Sequence, residues 1–260
     1  MENSNLNKEL LELTTNLQQP LKSSIHMVLD DGRAISDTDE FKYVAMYCYG
    51  QIPESIPSEL LHNIRGSWEF RDKIIKVCGF SVVTMNWVRI LASKLINKRG
   101  LEIMAGSGAL SKALKDCGIS ITCTDSYDWE SKDRFSTWQK HFTNVENISA
   151  MDAVIKYGKD IDFIVCSWAP YGGNDFVKAL NKLYEINPDC EIIYIGEEDG
   201  GCTADDEFFE TYDITYINDV NEIYPQFWGI HDYVYYAKKS EVEIMAKKII
   251  KVWTGRDCFN

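Results

Sequence analysis

Basic charge is what this sequence is short of. Its 27 lysines and arginines face 40 aspartates and glutamates, a formal net charge of −13 over 260 residues. Binding to nucleic-acid phosphates needs a cationic face that displaces counterions, so that class of partner is disfavoured. The densest local exception, Lys247, Lys248 and Lys251, reads as the solvated face of a helix. Long apolar runs are missing too: none approaches the ~20 residues needed to cross a bilayer. The opening MENSNLNKELLELTT is polar and acidic, without the basic-then-apolar layout of a secretory leader. Eight cysteines are present, at 48, 78, 117, 123, 166, 190, 202 and 258, with no CxxC pair and no ligand-like spacing. A reduced compartment fits them better than a disulfide framework, and no metal site is expected. The expectation is a soluble, cytoplasmic protein without a membrane partner. There is no internal repeat and no Gly- or Ser-rich linker, and nothing in the sequence fixes an oligomeric state.

What is present is a hydrophobic fraction of 45%, enough for a sizeable core, and two textures. Residues 1–78 read as helices. NLNKELLELTTNL has apolar residues at helical spacing. DTDEFKYVAMYCYG opens on Asp37 with Glu40 three residues later, a capping-box pattern, and closes on Gly50. PSELLHNIRGSWEFRDKIIKVCG is predicted as one further helix, with Pro57 in its first turn. This part is expected to be a helical extension or cover on a main domain, residues 79–260. There helices alternate with short apolar strands: helix in MNWVRILASKLIN, strand in GLEIMAG, helix in GALSKALKDCG, strand in SITCTD, helix in KDRFSTWQKHF. The alternation continues through NVENISA, DAVIKYG, IDFIVCSW, DFVKALNKLYEI and CEIIYIGEE. It ends on two β-rich stretches, YDITYIN and HDYVYYAKK, and a last helix in EVEIMAKKIIKVW. Such a pattern predicts a mostly parallel sheet covered on both faces, with an antiparallel terminal edge.

The chemistry is concentrated at the predicted carboxyl ends of those strands, where ligands bind in open α/β sheets. LEIMAGSGALSKAL places Glu102 inside a strand and Gly106 and Gly108 in the following turn, where the chain bends tightly and a ligand can approach bare backbone. The dinucleotide fingerprint G-x-G-x-x-G is not completed, because Ser111 holds its third position. These residues resemble the first motif of class I S-adenosylmethionine-dependent methyltransferases, an acidic strand residue followed by a glycine-rich turn. Met104 stands where that motif usually has its first glycine. A generic strand-to-helix turn with a stray glutamate is the plain alternative.

The resemblance extends along the chain. Asp125 ends an apolar strand 17 residues after Gly108, and a carboxylate there can accept both hydroxyls of a ribose; an aspartate capping a loop does not explain the spacing. Asp152 stands where the family often binds the adenine amine, although a helix N-cap explains it locally as well. IDFIVCSWAPYGGND resembles the family's fourth motif, which lines the donor methyl and the acceptor. In adenine-directed DNA methyltransferases that loop begins with a hydrogen-bond acceptor; Trp168 cannot be one, and Ser167 lies one residue early, so base methylation is not expected. Trp168 is placed with the cofactor-binding residues and Tyr171 beside the transferred methyl, with ordinary core aromatics as the alternative. Glu197, after the fifth strand, and His231, before the last, are the candidate bases, against a solvated acidic loop and a structural histidine. A poorly characterised methyltransferase-like group shares the Trp-Pro-Pro-Tyr-type loop and the Gly-Glu-…-Gly-Gly-x-Thr run, Ala169 departing from its first proline. The resemblance covers residues 80–239. It implies a three-layer Rossmann-like sheet, S-adenosylmethionine as cofactor, and methyl transfer to an O or N nucleophile of a small molecule or protein side chain. A cofactor-binding or interaction module without turnover is the competing reading.

Overall fold

The computed structural model describes residues 39–62, 66–128 and 142–241. The expected helices in NLNKELLELTTNL, KDRFSTWQKHF and EVEIMAKKIIKVW, the Asp37 cap and the three C-terminal lysines lie outside the described residues. By contacts the chain divides into residues 1–45 and 46–260. The helices expected in a separate extension up to residue 78 therefore belong, from Met46 onwards, to the unit that holds the sheet. Described elements begin with α1 (Asp39–Cys48), after which Gly50 turns left-handed with φ 71°. The segment predicted as one helix forms two, α2 (Ser58–Leu61) and α3 (Ser67–Val77), and Pro57 is the N-cap of the first rather than part of its turn.

Among the described residues seven strands follow: β1 (Arg99–Glu102), β2 (Ser120–Asp125), β3 (Glu146–Asn147), β4 (Phe163–Ser167), β5 (Glu191–Gly196), β6 (Tyr212–Tyr216) and β7 (Tyr233–Lys239). They form one sheet in the order β3-β2-β1-β4-β5-β7-β6. β1 to β5 are mutually parallel, while β7 runs antiparallel to both β5 and β6. The helices between them are α4 (Met85–Lys94) before β1, α5 (Ala109–Asp116), α6 (Ala150–Tyr157) and α7 (Asp175–Ile186). Two short helices that periodicity did not reveal, α8 (Asp206–Thr211) and α9 (Asn218–Asn221), flank β6. This is a three-layer Rossmann-like fold, with the antiparallel strand one place in from the edge.

Why these residues make this sheet follows from burial. β4, FIVCS, is buried along its first four residues, as a central parallel strand covered on both faces must be. On one side Leu101, Ile164 and Tyr194 of three adjacent strands meet Val154 of α6 and Phe176 and Leu180 of α7 in one core. On β1, Gly100 leaves room for the Phe163 ring: a Cβ there would come within 2.1 Å of it. Among the described residues no helix is long and apolar enough to cross a membrane.

Candidate functional site

Because β1, β2, β4 and β5 are parallel, their carboxyl ends open on the same edge of the sheet. The order reverses between β1 and β4, since β1 leads to β2 on one side and β4 lies on the other. A cavity of about 550 Å³ occupies this crevice, the place where open α/β sheets bind ligands. Its walls come from the stretch after α3 (Cys78 to Val83), the turn after β1, the tip of β2 and the loop after β4. The stretch after α3 is tied down on two sides: Ser107 Oγ donates to the Cys78 carbonyl, and Ser167 Oγ donates to Ser81 Oγ at 2.9 Å.

The turn after β1 takes three left-handed residues, Met104 (φ 54°), Gly106 (φ 54°) and Gly108 (φ 74°). Met104, standing in the place of a glycine, adopts the conformation a glycine would take, at a steric cost of about 1–2 kcal/mol. At Gly108 conformation and space act together, since an added Cβ would lie 2.9 Å from Val145 Cγ2. Beneath the turn Glu102 is 1% exposed. Its Oε2 accepts from the Ser111 N–H at 3.0 Å, in the first turn of α5, and from the Cys123 thiol at 3.6 Å. Burial outweighs these bonds and pushes its carboxyl up to about 7. Ser111, which breaks the dinucleotide pattern, thus supplies the N–H that anchors Glu102. Glu102, Met104 and Gly106 all line the cavity.

Asp125 closes β2 and is 4% exposed. Its Oδ2 accepts from the Gly106 N–H at 2.7 Å and its Oδ1 from the Tyr127 N–H at 2.7 Å. The carboxylate is therefore fixed by the glycine turn of the neighbouring strand and faces the cavity. Asp152 is not brought there. It is exposed on α6, where Ser149 is the N-cap: Ser149 Oγ accepts from the Asp152 N–H at 3.1 Å and donates to Asp152 Oδ2 at 2.7 Å. The local capping role, with Ser149 as the cap, accounts for this aspartate.

The opposite wall is built on Trp168, itself left-handed at φ 56°. Its backbone N–H donates to the Ile195 carbonyl at 2.7 Å, its ring Nε1–H donates to Asp232 Oδ2 at 2.8 Å, and its ring stacks on Phe80 with centroids 5.4 Å apart. Tyr171 is 63% exposed and does not line the cavity. Glu197 is buried behind this wall, its Oε2 accepting from the Cys202 N–H (2.8 Å) and its Oε1 from the His231 N–H (3.2 Å). His231 thus meets the site through its backbone; the residue is exposed, and it is the next one, Asp232, that is buried against Trp168. Tyr224 also donates to Asp232 Oδ2, at 2.8 Å, and burial pushes the Asp232 carboxyl up to about 6. Asp232, Phe80, Ser81 and Asp175, an exposed carboxylate lining the cavity beside Pro170, escaped the sequence reading. Only Asp232 left a signal there, as the acidic neighbour of His231 just ahead of β7.

No protein-family model matches the sequence, and no curated protein is similar to it. Among solved structures, a SAM dependent methyltransferase from Archaeoglobus fulgidus is 13% identical, covering 60% of this chain and 95% of its own, with a TM-score of 0.36. The magnesium protoporphyrin IX methyltransferase from Synechocystis PCC 6803, solved with bound SAM, is 11% identical over 60% of this chain and 76% of its own, at 0.36. The mitomycin 7-O-methyltransferase is 12% identical over 77% and 67%, at 0.40. At these values the likenesses carry no argument about substrate or activity, and the fold assignment rests on the strand order and the reversed seventh strand of this chain.

Proposed function

We propose that the cleft binds S-adenosylmethionine and directs its methyl group to an oxygen or nitrogen nucleophile of a small molecule or a protein side chain. The observation that carries this reading is Asp125: a carboxylate at a strand tip, held by the Gly106 and Tyr127 N–H groups and facing a cavity of about 550 Å³. A carboxylate offers about four lone-pair positions, so one group can serve both its backbone anchors and a pair of ribose hydroxyls. The donor set suits the cofactor in other respects. Gly106 presents bare backbone, Glu102 braces the turn from beneath through the Ser111 N–H, and Trp168 with Phe80 forms an apolar wall. When bound, the cofactor supplies an electrophilic methyl on a cationic sulfur, which leaves the chain to align the acceptor and exclude water. Where the acceptor must lose a proton, Asp175 is the cavity-lining carboxylate on the Pro170 side. Calorimetric titration with S-adenosylmethionine and S-adenosylhomocysteine tests the reading. Asp125→Ala should weaken both by about 10- to 100-fold, the loss of charge-assisted hydrogen bonds; the free chain should still fold, with a lowered melting temperature, because the Gly106 and Tyr127 N–H groups lose their acceptor. Unchanged affinity removes Asp125 from the site.

One observation favours a second reading, a binding module without turnover. Tyr171 and the His231 side chain lie outside the cavity lining, and both oxygens of Glu197 are engaged by backbone N–H groups. Tight binding of S-adenosylhomocysteine, with no label passing from methyl-labelled S-adenosylmethionine to any fraction of a lysate, would select it.

A further inference from the structure

The charged side chains that line the crevice are all of one sign. Among the described residues around the cavity they are Glu102, Asp125, Asp128 and Asp175, and no lysine, arginine or histidine joins them. Arg71 stands outside the lining, 5.3 Å from the Trp168 ring centroid, and already faces the carboxylates of Asp232, Asp72 and Glu197. An anionic ligand would therefore meet carboxylates with no lining cation to answer it, in a chain whose net charge of −13 repels it from a distance.

On the β4 side of the cavity, hydrogen-bonding capacity is left over. Asp175, at the start of α7, is exposed and lines the cavity, and its carboxylate makes no hydrogen bond or ion pair among the described residues. An acidic residue in the first turn of a helix offsets the helix dipole, which explains the charge and leaves its oxygens open. Ser81 is 7% exposed and takes one bond, from Ser167 Oγ at 2.9 Å. A hydroxyl has two lone pairs and one proton, so lone pairs remain on both oxygens, and the Ser81 proton meets no acceptor among the described residues. A polar group so deeply buried is seldom left unanswered; both serines line the cavity, where an occupant can reach them. Their neighbours in the chain, Phe80 and Trp168, stack on each other and supply a flat apolar wall.

We propose that the methyl acceptor is an amine on a flat apolar body, its N–H groups met by Asp175 and the Ser81–Ser167 pair and its body by Phe80 and Trp168. The proposal rests on the methyltransferase reading above and narrows its oxygen or nitrogen nucleophile to nitrogen. The transfer balances: one N–C bond forms, one S–C bond breaks with its electrons left on sulfur, and the methylated nitrogen carries the positive charge that the sulfonium gives up. The proton that an incoming ammonium must first lose passes to Asp175 and, because that residue is exposed, on to solvent.

The test uses the full chain, free and saturated with S-adenosylhomocysteine, titrated by calorimetry at neutral pH with benzylamine, benzyl alcohol and benzoate, which share a ring and differ in charge. Benzylamine should bind at least about tenfold more tightly than benzyl alcohol, the scale of one charge-assisted bond, and benzoate more weakly than either. Asp175→Asn should bring benzylamine down to the level of the alcohol, and Ser81→Ala should reduce its lead. The general pull of the net charge survives in Asp175→Asn, so a benzylamine preference that also survives there overturns the proposal. Equal binding of the three probes, no binding of any, or a lead for the alcohol or for benzoate overturns it as well. Titration of the variants with S-adenosylhomocysteine reports whether they fold; should Asp175→Asn not, Ser81→Ala and the wild-type ranking decide. A wild-type chain that fails to bind S-adenosylhomocysteine defeats the methyltransferase reading instead, and the probes on the free chain still decide whether the cavity selects an amine.

Discussion

A carboxyl group as deeply buried as that of Glu102 makes stability depend on pH. Its folded value of about 7 stands above the ordinary 4.5, with burial as the largest cause. Between those two values the folded chain keeps a proton that the unfolded chain has released. The contribution to stability therefore falls as pH rises through this window and stays low above it, by about 3 kcal/mol. Asp232 adds a decline of the same sign between its ordinary 3.8 and about 6. In Glu102→Gln, denaturant midpoints measured from pH 4.5 to pH 8 should lose most of the decline above pH 6, where Asp232 no longer contributes. A variant with the same slope as wild type would show that Glu102 titrates normally.

At the scale of elements, the close approach of β1 and β4 is specified by a single pair. Gly100 lies directly opposite Phe163 in the parallel ladder, and the Phe163 ring occupies the space a Cβ would need. Gly100→Ala should cost about 1–3 kcal/mol by overpacking, and Phe163→Leu in the same chain should recover part of it. Chemical denaturation of the two single variants and the pair measures that coupling; simple additivity would mean that the ring swings aside freely. These strands were legible in the sequence because central strands are continuous apolar runs, and α7 begins and ends where DFVKALNKLYEI does. α8 and α9 were not, since six and four residues are too few to display a helical period. PSELLHNIRGSWEFRDKIIKVCG misled for the opposite reason: its apolar spacing runs on through a segment that the structure divides between α2 and α3. In the candidate site, Glu102, Gly106 and Asp125 could be read because each ends a strand or lies in the turn just after one, and strand ends share one edge of a parallel sheet; Gly108, read with them, is the N-cap of α5 and does not line the cavity. Arg71, Asp232 and Trp168 meet across 64 and 97 positions of sequence, a proximity that no local pattern encodes.

For the molecule as a whole, charge is the dominant surface property. The ion pairs among the described residues, such as Arg89–Glu54, Lys94–Asp219 and Lys156–Glu146, have at least one substantially exposed partner, and each contributes little. A net charge of −13 meanwhile opposes compaction through self-repulsion. Raising the salt from about 10 mM to about 150 mM shortens the screening length to roughly 8 Å and should weaken the repulsion more than the pairs. The melting temperature is then expected to rise. A fall, measured by calorimetry in sodium chloride, would mean that the exposed pairs outweigh the net charge.

The loop after β4 and the loop after β5 are stitched together: Pro170 pairs with Thr203, the Ala204 N–H donates to the Ala169 carbonyl at 2.9 Å, and Trp168 is tethered to Asp232 ahead of β7. One jaw of the crevice is thus a single braced piece, in which exchanging one residue disturbs three segments at once. The other jaw, α3 and the stretch leading from it to α4, is fastened through the Ser107 and Ser167 side chains and carries Arg71. Altered selectivity, whether by natural drift or by deliberate redesign, has its easiest route through that second jaw, because there a new side chain can be accommodated without unpicking the sheet's own loops.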